Sequence, residues 1–260
     1  MSERNIKAAI FDIDDTLFDM KTKSFMPSAI EGLKQLQKNG IRIFIATGRG
    51  KDGLGVLRDL EFDGYITLNG QFCYTKDSVI YENTIAREQL EYLVSYLKEH
   101  PFPCGFTLRD TKVFNYRDAR VDAIHAITKN DNHPAGDISH ITEEHVYQCM
   151  AFISEEEEKE LLKHMPDCTS ARWHPLFTDI SPKGGTKQKG IDHFLAYYGI
   201  DLEETMGFGD GGNDLQMLEH VHTAVCMENG APQVKEKADF ITDDADHDGI
   251  YKALKHYHLI

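Results

Sequence analysis

Lys7-Ala8-Ala9-Ile10-Phe11-Asp12-Ile13-Asp14-Asp15-Thr16-Leu17 carries an unbroken apolar run straight into three carboxylates. Consecutive apolar positions read as a strand buried on both faces. The carboxylates cannot share that burial, because an ionised group left unpaired in a low dielectric is costly. They fit the carboxyl end of a parallel sheet, where α/β folds place their ligands. Asp12 and Asp14 would point to opposite faces of an extended chain. The strand must therefore end near Ile13 if both serve one site. Taken alone, the stretch reads equally as an acidic loop after a strand.

Working outward, Ser28 and Glu31 have capping-box spacing. A helix through Ile30, Leu33 and Leu36 follows, closed by Asn39-Gly40. Residues 41–46 form a second buried strand running into Thr47-Gly48-Arg49. A helix over residues 51–60 is diluted by Gly53 and Gly55, and residues 64–68 give a third strand closed by Asn69-Gly70. This β-α-β-α-β order with short links predicts a Rossmann-like, doubly wound parallel sheet. A hairpin over 72–82 follows. The pattern then changes to helix, strand, strand, helix, strand, helix, strand, which predicts an inserted α+β cap over 83–179. It includes a helix at 121–129 and a polar loop at 130–139. The parallel pattern is expected to resume at Thr178-Asp179-Ile180, giving a discontinuous α/β core of residues 1–82 and 180–260.

Composition narrows the function. The chain has 260 residues, 41% hydrophobic, and a formal net charge of −15. That charge argues against a nucleic-acid partner or an anionic membrane. An anionic substrate would then need a local cation. Five scattered cysteines without a C-x-x-C pair read as reduced core thiols of a cytoplasmic protein. No signal peptide is evident, and no apolar run approaches a membrane span. The histidines show no zinc-ligand spacing, and no serine sits in a G-x-S-x-G turn.

Four polar elements fall just after core strands or at a helix start: Asp12 with Asp14, Thr47-Gly48, Lys187, and Asp210 with Asn213 and Asp214. The set suits phosphoryl transfer with Mg²⁺. A hard cation takes oxygen ligands, and the reaction depends on positioning and charge neutralisation. Asp12 and Asp210 can hold the ion while one carboxylate oxygen stays free to attack phosphorus. Each piece also has a bland reading. Thr47-Gly48 is an ordinary strand-to-helix turn, Lys187 is one of several lysines beside Lys183 and Lys189, and Gly211-Gly212 is a tight turn.

Taken together, Asp12-Ile13-Asp14-Asp15-Thr16-Leu17, Ile45-Ala46-Thr47-Gly48-Arg49, Lys187 in Pro182-Lys183-Gly184-Gly185-Thr186-Lys187, and Gly209-Asp210-Gly211-Gly212-Asn213-Asp214 resemble the four ordered motifs of the haloacid dehalogenase (HAD) superfamily. The insertion between the second and third resembles the cap of the Cof-type, type IIB sugar-phosphate phosphatases. The resemblance implies Asp12 as nucleophile and Asp14 as acid and base. It implies Ile13, Thr47, Gly48, Lys187 and Asn213 around the phosphoryl group. Asp12, the Asp14 carbonyl and Asp210 would hold Mg²⁺, with Asp214 behind them. The position of Asp15 is often glycine in this family, and Asp15 is expected to turn away or cap.

Arg172, Trp173 and His174 are the cap residues expected to meet the leaving group, a sugar ring bearing phosphate. The expected substrate is a small phosphorylated metabolite, and the expected state a monomer or weak homo-oligomer. A phosphomutase of the same fold, a phospho-accepting signalling domain and a non-catalytic phosphate binder are the rival readings.

Overall fold

The computed structural model describes residues 5–57, 60–128 and 134–260. The first four residues, the end of the helix expected at 51–60, the end of that expected at 121–129 and the first part of the polar loop lie wholly or partly outside them. The chain divides into two units. One comprises residues 1–49, 55–82 and 185–260, the other residues 50–54 and 83–184.

The first unit begins with β1 (Ala8–Phe11), a small antiparallel pair β2 (Phe18–Asp19) and β3 (Ser24–Phe25), then α1 (Pro27–Lys38), β4 (Arg42–Ala46), β5 (Gly64–Thr67) and the hairpin β6 (Phe72–Tyr74) and β7 (Val79–Glu82). The second unit holds α2 (Arg87–Glu99), β8 (Cys104–Thr107), β9 (Lys112–Phe114), α3 (Ala119–Thr128), β10 (Gln148–Ala151), α4 (Glu155–Lys163), β11 (Cys168–His174) and β12 (Phe177–Pro182). The first unit resumes with α5 (Lys187–Tyr198), β13 (Thr205–Gly209), α6 (Leu215–His220), β14 (Thr223–Met227), α7 (Pro232–Lys235), β15 (Phe240–Thr242) and α8 (Gly249–His256).

The first unit's sheet runs β15-β14-β13-β1-β4-β5-β6-β7. The six strands from β15 to β5 are parallel, and β6 and β7 add an antiparallel edge. β1 is buried at every position because it lies in the middle. Phe11 stacks on Phe208 of β13 with ring centroids 4.7 Å apart. Ile10, Phe44 and Ile66 share an apolar cluster with Ile191, Phe194 and Leu195 of α5 and Met217 and Leu218 of α6. Gly190 lets α5 lie close, since a Cβ there would stand 2.5 Å from Cγ2 of Ile66. From β1 the chain moves to β4 on one side and later to β13 on the other. The point where strand order reverses therefore lies beside β1, and a crevice is expected there at the carboxyl ends.

The second unit is an antiparallel sheet, β11-β12-β10-β8-β9. Leu90, Leu93 and Leu97 of α2 and Leu161 of α4 pack with Cys104, Phe106, Cys149 and Ile180. Phe114, Met150, Phe152 and Phe177 gather with Val121 and Ile124 of α3. Among the described residues no helix is long and apolar enough to cross a membrane.

Three local expectations need correction. The strand at residues 178–180 does not resume the parallel sheet, because β12 pairs antiparallel with β10 and β11. Its side chains alternate, with Ile180 in the helix-side core and Asp179 opposite Met150, as in an antiparallel strand. The first unit instead re-enters directly through α5. The Ser28 capping box is also absent. Pro27 starts α1 at its first turn, with φ already suited to a helix, and Ser28 Oγ donates to the Asp248 carboxylate instead. Finally, Lys51–Leu57 is a 3₁₀ rather than an α-helix, as two glycines in seven residues favour.

Candidate active site

β1, β4 and β13 are neighbours, and each ends one residue before a polar group. Asp12 follows Phe11, Thr47 follows Ala46 and Asp210 follows Gly209. Hydrogen bonding of the Asp12 N–H to the Phe208 carbonyl (3.0 Å) carries the pairing one step past β1. The chain then turns, as the N–H groups of Thr16, Leu17 and Phe18 all point to the Ile13 carbonyl. This turn lets Asp12 and Asp14 both serve one end of the sheet. Asp15 sits in it at φ 55°, a region favoured by glycine and tolerated by aspartate. Its Oδ1 accepts the Met20 N–H at 3.0 Å, so the residue caps the turn.

Lys187 lies buried between two carboxylates. Its Nζ donates to Asp12 Oδ1 at 2.5 Å and to Asp214 Oδ1 at 2.6 Å. Lys189 is exposed. Asp214 Oδ2 accepts the N–H groups of Asp210 (3.1 Å) and Gly211 (2.9 Å), which fixes the loop after β13. Asp12 Oδ2 accepts no hydrogen bond among the described residues. Asp14 is held by Arg49 through a two-pronged contact, Nε to Oδ2 at 2.9 Å and Nη2 to Oδ1 at 2.6 Å. Thr47 Oγ1 accepts the Arg49 N–H at 3.1 Å, which leaves its own proton to donate. The backbone N–H groups of Ile13 and Gly48 meet no acceptor among the described residues.

The electrostatics follow from this packing. Burial, helped by Asp214 and Asp14, raises the Asp12 carboxyl against the pull of Lys187. Burial and Asp214 push Asp210 up to about 6. For Lys187, burial works to lower its pKa, but the two carboxylates outweigh it and the ammonium is held. One lysine thus faces two buried acids, and the excess negative charge calls for a further cation. Carboxylate oxygens of Asp12, Asp210 and Asp214 lie within 4.8 Å of one another. This all-oxygen, net-negative set fits a hard divalent ion. Asp210 also lines a small acidic cavity with Asp15, Asp19, Asn229 and Asp244.

Sequence reading missed two partners of Asp210. Thr16 donates to its Oδ1 at 3.0 Å, and Asn229 to its Oδ2 at 3.2 Å. Asn229 stands two residues past the end of β14, so the strand-end rule that picked out Asp12 and Asp210 reaches it too.

Of the three cap residues, Trp173 and His174 lie ring to ring, edge-on with centroids 6.1 Å apart, and both pack on Phe177, while Arg172 is drawn to α4. Arg172 pairs with Glu158 of α4 at 2.5 Å and donates to the Ile153 and Pro175 carbonyls. Trp173 is 56% exposed, and its indole N–H donates to Asp179 Oδ2 at 3.1 Å. His174 Nδ1 accepts the Leu176 N–H at 3.2 Å.

Comparison with known proteins gives the family of the chain. A family described as haloacid dehalogenase-like hydrolase matches residues 9–254. A Bacillus subtilis protein named "Putative phosphatase YkrA" is 35% identical over 257 residues, covering 98% of both chains. The structure of the HAD phosphatase BT1666 from Bacteroides thetaiotaomicron superposes with a TM-score of 0.88 at 34% identity, covering 100% of this chain and 97% of that one. The HAD subclass IIB sugar phosphatase BT4131 gives 0.81 at 39% identity, covering 98% and 100%.

Proposed function

The chain belongs to the haloacid dehalogenase-like hydrolases and is one of their phosphatases, and on that premise we propose that it hydrolyses small phosphomonoesters, sugar phosphates among them, with Mg²⁺ and through an aspartyl-phosphate. One observation carries the reading. Asp12, with Oδ2 unengaged, stands beside donors that meet no acceptor among the described residues: the Ile13 and Gly48 N–H groups and the Thr47 hydroxyl.

In this reading an Asp12 carboxylate oxygen forms a bond to phosphorus as the ester oxygen leaves with a proton from Asp14. Asp14 then takes a proton from water, whose oxygen attacks phosphorus and restores Asp12. Thr47, Ile13, Gly48, Asn213 and Lys187 hold the phosphoryl oxygens throughout. Asp12, the Asp14 carbonyl and Asp210 would hold Mg²⁺, with Asp214 supporting the loop. When bound, the ion neutralises charge on the phosphoryl oxygens. Asp14 is free to act once the phosphate dianion competes with it for Arg49.

Trp173 is the cap candidate for the leaving group. Its ring is more than half exposed and can stack against a sugar, while its indole N–H is held by Asp179. Arg172 is already committed to α4. The BT4131 relative, a sugar phosphatase, supports the sugar reading.

Phosphate release from a panel of sugar phosphates and nucleotides, with Mg²⁺ and with EDTA, tests the proposal. Mg²⁺-dependent release is expected, strongest for a sugar phosphate. No release from any ester would sink it, and isomerised ester without free phosphate would mark a mutase.

The metal reading has its own pH signature. The carboxyls of Asp12 and Asp210 are raised in the folded protein, so in EDTA their contribution to stability is full below about pH 4, the unfolded value, and is lost as pH rises through the folded values. Protons compete with the ion for the same oxygens. The rise in Tm on adding Mg²⁺ is therefore expected to be larger at pH 8 than at pH 6. Thermal scans at the two pH values, with Mg²⁺ and with EDTA, check this. An equal rise at both would separate the ion from these carboxylates.

A further inference from the structure

The turn between β5 and β6, Leu68-Asn69-Gly70, belongs to none of the four motifs. Its three residues take φ of 52°, 52° and 96° in succession. For leucine and asparagine this left-handed region is costly, and two such residues in a row persist only where the surroundings hold them. Leu68 and Gly70 are buried, while Asn69 between them is exposed. The distortion thus lifts one amide side chain out of a buried turn.

Each residue of the turn touches a different part of the site. The Leu68 N–H donates to the Arg49 carbonyl and the Asn69 N–H to the Thr47 carbonyl, both at 2.9 Å. Gly70 lies so close to Thr186, the residue before Lys187, that any Cβ would collide with the Thr186 carbonyl. The Asn213 side-chain amide donates to Asn69 Oδ1 at 3.3 Å. A Cβ on Gly48 would be 3.4 Å from the Asn69 amide, so Asn69 also backs Gly48. One strained turn therefore braces the loop after β4, the start of α5 and the loop after β13.

We propose that Asn69 is a positioning residue of the phosphoryl site. It orients the Asn213 amide and closes the space behind Gly48, so that Thr47, Gly48 and Asn213 aim their donors at one anion. This rests on the phosphoryl-binding roles given above to those three residues.

Asn69→Gly separates side chain from backbone, because glycine keeps the left-handed conformation without cost and removes only the amide. The readout is the affinity for inorganic phosphate in the presence of Mg²⁺, measured by calorimetry, with kcat and KM measured alongside. Asn69→Gly is expected to bind phosphate about tenfold more weakly, the scale of one hydrogen bond in a charged site, with no loss of Tm. In an Asn213→Ala background the same change is expected to cost clearly less than tenfold, since the part of its effect that passes through Asn213 is already lost and only its backing of Gly48 remains. Asn69→Asp, which keeps the shape and places a charge beside the anion, is expected to weaken binding further. Unchanged phosphate affinity in Asn69→Gly, or a full tenfold loss persisting in the Asn213→Ala background, overturns the proposal. Wild-type protein that binds phosphate but hydrolyses no ester defeats the phosphatase reading and leaves this test in force. Wild-type protein that binds no phosphate overturns both.

Discussion

Asn in place of Asp12 is expected to abolish phosphate release while leaving the protein at least as stable as wild type. The loss follows from the proposed chemistry. An amide oxygen is a poor nucleophile toward phosphorus and yields no aspartyl-phosphate, so turnover should fall by about 10⁴-fold or more. The stability half follows from the charge count. Lys187 supplies one positive charge against Asp12 and Asp214, all three buried. The raised pKa of Asp12 means that burial and its acidic neighbours outweigh the attraction of Lys187. The fold therefore disfavours the charged form. Asp12→Asn removes that charge, keeps an oxygen for Nζ to donate to, and leaves Lys187 matched one-to-one with Asp214. The wild-type contribution present below about pH 4 is lost as pH rises, so the variant's advantage in EDTA should be greater at pH 8 than at pH 6. Phosphate release and thermal scans on the same preparations check both halves. An inactive variant with a lower Tm at pH 8 would make Asp12 a structural partner of Lys187 first.

The strand-end logic made most of this site legible in the sequence. An apolar run buried on both faces ends where polar residues resume, so Asp12, Thr47 and Asp210 stood out together, as a set at strand ends, though each alone reads equally as an acidic loop or an ordinary turn. Lys187 was harder. Beside Lys183 and Lys189 nothing local marks it, and only its place one residue into α5, where the helix meets the carboxyl end of β1, sets it apart. Asn69 was read merely as the end of a strand, because a left-handed backbone at Leu68 and Asn69 is imposed by tertiary contacts and leaves no pattern in composition. The cap was legible as helices and strands, but not its pairing. Four residues, Thr178 to Ser181, suit a parallel or an antiparallel strand until their neighbours are known. Within the trio Arg172, Trp173 and His174, strict strand alternation would turn neighbours to opposite faces, but a bulge between Ala171 and His174 breaks it and brings the Trp173 and His174 rings together on Phe177, which adjacency alone does not show.

Lys187→Met is expected to cost more stability than any other single change at the site. The substitution keeps the apolar stem as far as Cε, removes the ammonium, and leaves Asp12 and Asp214 buried and facing each other without a cation. Breaking a buried ion pair by removing one partner typically costs about 3–5 kcal/mol, which for a chain of this size lowers Tm by roughly 6–20 °C. The deficit should shrink with falling pH, because Asp12 is already raised and protonation removes the unpaired charge. The double variant Lys187→Met with Asp12→Asn separates charge from packing. It leaves one carboxylate, Asp214, still receiving the Asp210 and Gly211 N–H groups, so it should recover much of the loss. Recovery of this kind is strong non-additivity between residues in contact, and urea denaturation of wild type, both single variants and the double measures it at pH 6 and pH 8. If the double variant is as unstable as Lys187→Met alone, the stability of this site comes from how the lysine stem packs, and the charge balance among Asp12, Lys187 and Asp214 contributes little to the fold.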